Sequence, residues 1–202
     1  MTLIAIEANI GAGKSTLIGK LALEIGFKHI QEPVDDPEFL RLLKEFTTYP
    51  NDSKVRLNFQ RYITESRANL LKSIPAGNYI IERSLFSDLV FCQANMLSTE
   101  RPDGSYISYY YDILDRLKDY PQVDAIVYLK TQPELAYQRM LARARKEEAG
   151  TKLAYLQDIH RFHEACLPQI CREYHSKLLT FNWDHFGQPQ VIAQKLREEG
   201  II

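Results

Sequence analysis

An α/β fold, with one parallel sheet of five strands and helices covering both faces, is what the pattern of this 202-residue chain predicts. Short apolar runs alternate along the sequence with segments of helical apolar spacing. The first run leads through a glycine-containing loop straight into a helix. Three of the run ends carry polar residues, at Ala8 to Ser15, at Glu32 and at Glu82-Arg83. In open α/β sheets ligands bind outside the carboxyl ends of the strands, so these three ends mark a candidate site.

Leu3-Ile4-Ala5-Ile6 reads as a buried strand, and Lys14 to Ile25 as a helix with Leu17, Ile18, Leu21, Ala22 and Ile25 on one stripe, stopped by Gly26. Phe27 to Gln31 is the second strand, closed by the loop signal Glu32-Pro33-Val34. Asp36 before Pro37 predicts an N-cap with proline at the first helical position, opening a helix to about Phe46. Ser53 opens a long helix to about Ile74, ended by Pro75-Ala76-Gly77. Tyr79-Ile80-Ile81 is the third strand, followed by a helix over Leu85 to Leu97, a polar loop over Ser98 to Gly104 and a helix over Tyr106 to Tyr120. Asp124 to Leu129 is the fourth strand. Thr131-Gln132-Pro133-Glu134 reads as a capping box opening a helix towards Glu148. Gly150 breaks that helix, and another follows from Thr151 to Tyr174, with Pro168 as a kink position. Leu178 to Phe181 is the fifth strand and Pro189 to Glu199 the terminal helix.

The length suits one well-buried core, so residues 1–202 read as a single domain. A formal net charge of −1 gives no electrostatic reason to expect a nucleic acid or a membrane as partner. Cys92, Cys166 and Cys171 are odd in number and lack C-x-x-C spacing, which predicts free thiols in a reducing compartment. No export signal or spanning run is legible, so a cytoplasmic location is expected.

Leu3 to Leu17 reads L-I-A-I-E-A-N-I-G-A-G-K-S-T-L. Strand, loop and helix with Gly-Lys-Ser at the junction form the context of a phosphate-binding P-loop. Backbone N–H groups of Asn9, Ile10, Gly11, Ala12 and Gly13, and of the first turn at Lys14, Ser15 and Thr16, converge on phosphate oxygens. Lys14 adds a positive charge for the β- and γ-phosphates, and the Ser15 hydroxyl is a ligand for Mg²⁺. The full pattern would begin with a glycine where this chain has Ala8. A nucleoside triphosphate with Mg²⁺ is the expected ligand. Glu82 after an apolar strand is the Walker-B arrangement for the metal, and Arg83 beside it suits either clamping a phosphoryl group or orienting Glu32. Arg139 and Arg143 lie one turn apart on one helix face. Gln60 and Arg67 lie two turns apart and also share a face, natural for reading a base.

Glu32-Pro33-Val34, Phe59-Gln60, Glu82-Arg83-Ser84 and the stretch from Arg139 through Arg143 and Arg145 to Glu147-Glu148, in this order, resemble the deoxyribonucleoside kinases, a family that includes the deoxycytidine, deoxyguanosine and deoxyadenosine kinases. The resemblance runs from Ile4 to about Leu167. It implies the P-loop kinase fold with an arginine-rich lid over residues 139–150, and transfer of the ATP γ-phosphate to the 5′-hydroxyl of a deoxyribonucleoside. By resemblance Glu32 is the general base, with Arg83 and Lys14 as its catalytic companions. Arg143 and Arg145 grip phosphates, and Arg139 lies near the adenine of ATP. Tyr49 and Glu148 reach the sugar 3′-hydroxyl, Gln60 pairs with the base edge and Phe91 stacks on the base. From spacing alone, Tyr49 and Phe91 fit plain core packing equally well. Arg67 and Asp88 align with the charged pair of the deoxycytidine and purine branch, which disfavours thymidine. The compact length leans towards purine acceptors, and the family pattern implies a homodimer, by inference through Ser53 to Ile74 and Leu85 to Leu97. Asn182 to Phe186 corresponds to the family's loop against the ATP base, but no residue role transfers. His160 and His163 lack metal-ligand spacing and suit structural or surface positions, and Cys166 and Cys171 suit packing as small apolar groups.

A nucleoside monophosphate kinase would share the P-loop, but would need further cations for its acceptor phosphate and no base at Glu32. A GTP-dependent switch would need an N-K-x-D motif, which the sequence lacks.

Overall fold

The computed structural model describes residues 1–32, 34–72, 74–97 and 104–202. Pro33 of the Glu32-Pro33-Val34 turn and the expected loop at 98–103 lie outside the described residues. Five strands, β1 (Leu3–Ala8), β2 (Lys28–Ile30), β3 (Tyr79–Glu82), β4 (Ala125–Lys130) and β5 (Lys177–Asn182), form one all-parallel sheet in the order β2-β3-β1-β4-β5. The helices are α1 (Lys14–Ile25), α2 (Pro37–Thr48), α3 (Ser53–Lys72), α4 (Leu85–Leu97), α5 (Gly104–Lys118), α6 (Pro133–Arg143), α7 (Leu153–Glu173) and α8 (Pro189–Glu198). This is the five-stranded parallel α/β sheet that the alternation of apolar runs predicts, and the P-loop kinase fold that the family resemblance implies.

Side chains alternate across the sheet with the strand period of two. Leu3, Ala5, Tyr79, Ile81, Ile126 and Tyr128 face one layer with α3, α4, α5 and α7, while Ile4, Ile6, Ile80, Val127 and Leu129 face α1 and α8. Central β1 is buried on both sides, as its unbroken apolar start requires. A third cluster joins α2, α3, α6 and α7 beyond the strand ends through Phe39, Phe46, Phe59, Met140, Tyr155 and Leu156. That cluster forms a wall over the carboxyl edge of the sheet and turns the edge into a crevice.

Element ends follow from local chemistry. Gly26 sits in the left-handed region at φ 70° and its N–H closes α1. Asp36 accepts from the N–H groups of Glu38 (2.8 Å) and Phe39 (3.1 Å), the N-cap that its place before Pro37 predicts and worth about 1 kcal/mol. The capping box at Thr131 is not formed. Gln132 occupies the N-cap position without a side-chain bond, its N–H donates to Asp184, and Glu134 instead accepts from Gln157. Proline at the first helical position already removes one free donor, so the helix starts without the box. Helix α6 also stops at Arg143 and not near Glu148, because Ala144 turns left-handed at φ 56° and a 3₁₀ turn over Lys146–Glu148 follows. Helix α7 runs on through Pro168.

In helix α4 Leu97 is the one exposed residue, and the rest packs within the chain against α3, α5 and α7.

Candidate active site

A cavity of about 410 Å³ opens over the carboxyl edge of the sheet, lined by the P-loop on one side and by α2, α3 and α4 on the other. Its floor begins where β1 ends. Ala8, at the place of the missing glycine, is still an extended strand residue paired with Leu129 and wholly buried, so no glycine is needed there. The turn is made by Gly11 (φ 78°) and Gly13 (φ 95°). A Cβ on Gly11 would stand 2.2 Å from the Ala136 carbonyl oxygen, and one on Gly13 would stand 2.6 Å from the Phe186 ring. Both glycines are therefore required by φ and by close approach. Ile10, Gly11, Gly13, Lys14, Ser15 and Thr16 line the cavity. Asn9 and Ala12 are buried behind it, with Asn9 Nδ2 donating to the Leu156 carbonyl at 2.8 Å. These two residues contribute backbone and anchorage.

Burial, and then the neighbouring Arg83 charge, depress Lys14 from an ordinary 10.5 to about 8, with Glu82, Glu32 and Glu7 offsetting part of the effect. Between about 8 and 10.5 the folded free protein binds fewer protons than the unfolded chain, so this group makes stability rise with pH over that window. The same shift removes the cation that phosphates need. The expected result is that kcat/KM for a nucleoside triphosphate bound at this loop falls about tenfold per pH unit above roughly pH 8, while the limb in kcat lies higher because bound phosphates restore the charge. Lys14→Arg, which does not titrate there, tests the assignment. An alkaline limb left unmoved in that variant belongs to another group.

Ser15 Oγ donates to Glu82 Oε1 at 2.9 Å. This hydroxyl and carboxylate are a hard-oxygen pair that would fit Mg²⁺, with the remaining ligands left to phosphate and water. Beyond β3, Arg83 adopts a left-handed conformation at φ 66°. That backbone costs of order 1–3 kcal/mol for a non-glycine residue, and it returns the guanidinium beneath the P-loop. There Nη1 donates to the Ala8 carbonyl (2.8 Å) and to Ser87 Oγ (3.3 Å), and the guanidinium carbon lies 4.7 Å from the centre of the Phe91 ring. Glu7, near the end of β1 and given no role from the sequence, holds this turn. Its carboxylate is fully buried and accepts from Ser84 N–H and Ser84 Oγ, both at 2.8 Å, and from Ser87 Oγ. An acidic residue inside an otherwise apolar strand is the signal that could have revealed it.

Glu32 stands between the two walls. Arg67 donates to Glu32 Oε1 with one nitrogen and to Asp88 Oδ1 with another, and Arg83 Nε lies 3.7 Å from Glu32 Oε2. Burial by itself raises the Glu32 pKa, but the Arg67, Arg83 and Lys14 charges outweigh it and hold the carboxyl below the usual range. Glu32 is thus a carboxylate at neutral pH, and among the described residues Oε2 has no closer charged partner than Arg83. Asp88 is pushed the other way, to about 6, because burial outweighs the Arg67 charge. Among the described residues its Oδ2 is buried without a hydrogen-bond partner.

On α3 and α4, Gln60, Arg67, Asp88 and Phe91 all line the cavity, the first two from the one helix face that their spacing predicts. Gln60 Nε2 donates to the Asp88 carbonyl at 3.1 Å, and Asn95 Nδ2 donates to Gln60 Oε1 at 2.7 Å. Phe91 packs edge-on to His163, which stacks on Tyr128 with 3° between planes. His163 is held neutral, at about 3, chiefly by burial, which makes it a packing residue. Cys171 is buried in the core, whereas Cys166 donates to Gln93 Oε1 at 3.0 Å and so does not behave purely as an apolar group. Tyr49 stands apart from the rest. It caps α2 with its side chain 56% exposed and does not line the cavity, where α2 presents Phe39, Leu43 and Phe46 instead.

In the arginine-rich segment, Arg139, Arg143, Arg145 and Glu148 line the opposite rim. Arg143 Nη2 donates to both oxygens of Glu148 at 2.7 Å, and Arg145 Nη1 donates to Oε1 at 3.2 Å. Arg139 donates to the Trp183 and Asp184 carbonyls, and its guanidinium carbon lies over the Phe186 ring, 4.2 Å from the ring centre. Phe186, given no role from the sequence, thereby joins Gly13 and Arg139 at one end of the cavity.

A P-loop at the end of the central strand, a hydroxyl–carboxylate pair beside it and a carboxylate held among arginines define a kinase site of the P-loop class. The family profile described as deoxynucleoside kinase matches residues 4–195. The chain is 35% identical over 189 residues to a probable deoxycytidine kinase of fowlpox virus, covering 90% of this chain and 78% of that protein. It is 28% identical over 201 residues to the deoxyadenosine kinase of Dictyostelium discoideum, covering 98% and 79%. A solved deoxyadenosine kinase from M. mycoides, holding dCMP and dCDP, shares the fold with a TM-score of 0.79 at 24% identity, covering 98% of this chain and all of that one. The chain belongs to the deoxynucleoside kinase family.

Proposed function

We propose that this kinase transfers the γ-phosphoryl group of ATP to the 5′-hydroxyl of a deoxyribonucleoside in nucleotide salvage, favouring purine deoxynucleosides, accepting deoxycytidine and disfavouring thymidine. The observation that carries this reading is the position of Glu32, an ionised carboxylate in one cavity with the P-loop on one side and Gln60, Asp88 and Phe91 on the other. A hydroxyl placed against Glu32 Oε2 has an acceptor for its proton and lies beside the arginines that balance charge on the transferred group. Arg143 and Arg145 supply mobile positive charge from the rim, with Glu148 available to the sugar. Arg139 and Phe186 offer a flat surface for the adenine of ATP. Mg²⁺ held at Ser15 and Glu82 would neutralise phosphate charge.

The buried acceptor Asp88 Oδ2 beside Gln60 suits an exocyclic amine and opposes the O4 carbonyl of thymine. One catalytic unit spanning the chain, a cytoplasmic location and a homodimer complete the reading. Free cysteines are consistent with that compartment, and no described helix is long and apolar enough to cross a membrane.

The test is turnover with ATP and Mg²⁺ of the four deoxyribonucleosides and their four monophosphates. Turnover of deoxyadenosine, deoxyguanosine or deoxycytidine is expected, with monophosphates inert. Activity on monophosphates alone would identify a nucleoside monophosphate kinase, and none on either set would end the proposal.

A further inference from the structure

We infer that Arg56, acting through Asn95, determines which end of the Gln60 amide faces the cavity and is therefore a positioning residue for base selection. The inference rests on the reading of this cavity as the nucleoside site. Arg56 lies on α3 one turn before Gln60 and is 3% exposed. Among the described residues no carboxylate pairs with it. Its guanidinium carbon lies 4.2 Å from the centre of the Phe46 ring and 5.1 Å from that of Tyr155, and Nη1 donates to the Pro50 carbonyl at 3.2 Å. A buried cation without a counter-ion is costly, and the aromatic faces offset only part of that cost.

The chemistry of the neighbouring bonds shows what this cation does. Arg56 Nη2 donates to Asn95 Oδ1 at 2.6 Å, Asn95 Nδ2 donates to Gln60 Oε1 at 2.7 Å, and Gln60 Nε2 donates to the Asp88 carbonyl at 3.1 Å. An amide can turn end for end with almost no change of shape, so its polarity is set by what it faces: the Asp88 carbonyl, which only accepts, holds the Gln60 NH₂ on one side, and Asn95, itself oriented by Arg56, holds the Gln60 oxygen on the other. A guanidinium only donates. Asn95 must therefore present its oxygen to Arg56 and its NH₂ to Gln60, and Gln60 must present its oxygen to Asn95. One proton of Gln60 Nε2 and one lone pair of Oε1 are left for a base, each at a fixed place. Asn95 and Gln60 are 2% and 4% exposed, so water does not compete for these bonds.

Asn95→Asp tests the relay. A carboxylate keeps, and charges, the bond to Arg56, but offers Gln60 acceptors only. Gln60 is expected to turn its NH₂ towards the introduced carboxylate, because a hydrogen bond to a carboxylate outweighs one to a carbonyl. Deoxyadenosine and deoxyinosine probe the result, since N1 and the 6-substituent are acceptor and donor in one and donor and acceptor in the other. The ratio of their kcat/KM values should move by about tenfold or more towards the nucleoside that the wild type disfavours, through KM more than kcat. Arg56→Met should move the ratio part of the way in the same direction, since the Asp88 carbonyl alone is left to orient Gln60, and Arg56→Lys, still a donor only, should keep the wild-type ratio. A folded Asn95→Asp enzyme with an unchanged ratio overturns the inference. If the wild type phosphorylates no nucleoside, the functional reading fails by itself, and the relay is judged by NMR on the Gln60 side-chain amide protons. Slow solvent exchange in wild type and Arg56→Lys with fast exchange in Arg56→Met supports it, and equal exchange in all three refutes it.

Discussion

Glu32→Gln is expected to lower kcat by about 10²–10³ while the dissociation constant of the nucleoside changes little. The amide is the same size as the carboxylate and still accepts from Arg67, which also keeps its second partner Asp88. The cavity wall should therefore stay in place. What is lost is the negative charge and the basic oxygen beside the proposed position of the attacking hydroxyl. Arg67, Arg83 and Lys14 hold the Glu32 carboxyl below its usual range in spite of burial, so it is ready as an acceptor throughout the neutral range. In a loose phosphoryl-transfer transition state the proton leaves late, and a weak base in the right place is sufficient. The same shift stabilises the fold above the unfolded carboxylate value of 4.5 and is lost as pH falls through the lower folded value. Unfolding of the Gln variant should therefore show a shallower acid limb. Steady-state kinetics together with calorimetric nucleoside binding decide the point, and a kcat equal to wild type would remove Glu32 from the chemistry.

The double change Arg67→Met with Asp88→Ala is expected to raise kcat/KM for thymidine relative to deoxyadenosine by about 10–100-fold. Asp88 places an unpartnered acceptor in the cavity, and its bond to Arg67 fixes that side chain. Thymine sets a carbonyl and a methyl group against this pair, leaving hydrogen bonds unmade at about 1–3 kcal/mol each. Removing both members matters. Asp88→Ala alone strips a buried cation of one of its two partners, and breaking a buried pair costs about 3–5 kcal/mol, so a loss of activity would report stability and not selectivity. With both removed, Glu32 loses an ion-pair partner but keeps Arg83 near by, and kcat on the best substrate should fall only modestly. A thymidine ratio that does not move would mean that the pair is not the filter.

Much of the site could be read in the linear order of residues because each motif sits at a strand end, and parallel strands bring their ends to one edge. Lys14, Ser15, Glu32, Glu82 and Arg83 are each within a few residues of such an end and meet in one crevice for that reason. Gln60 and Arg67 were legible through helical spacing, which places positions two turns apart on one face. Tyr49 was not. It lies where a helix runs out, and the direction of a side chain there depends on how the next helix packs. Arg56 and Asn95 were invisible for a different reason, since a buried arginine reads as an exposed one until its neighbours are known. Phe186 likewise lies in a loop with no periodicity to orient it.

The sequence by itself determined the alternation of strands and helices, the phosphate loop and the crevice at the strand ends, because these depend on local propensity and on periodicity. Only the tertiary structure decided how polar and charged groups far apart in the chain are paired: that Arg67 bridges Glu32 and Asp88, that Glu7 braces the turn that aims Arg83, and that Arg56 reaches Gln60 by way of Asn95. The physical reason is that a hydrogen bond or an ion pair acts over about 3 Å, a distance that packing sets and that sequence separation does not encode.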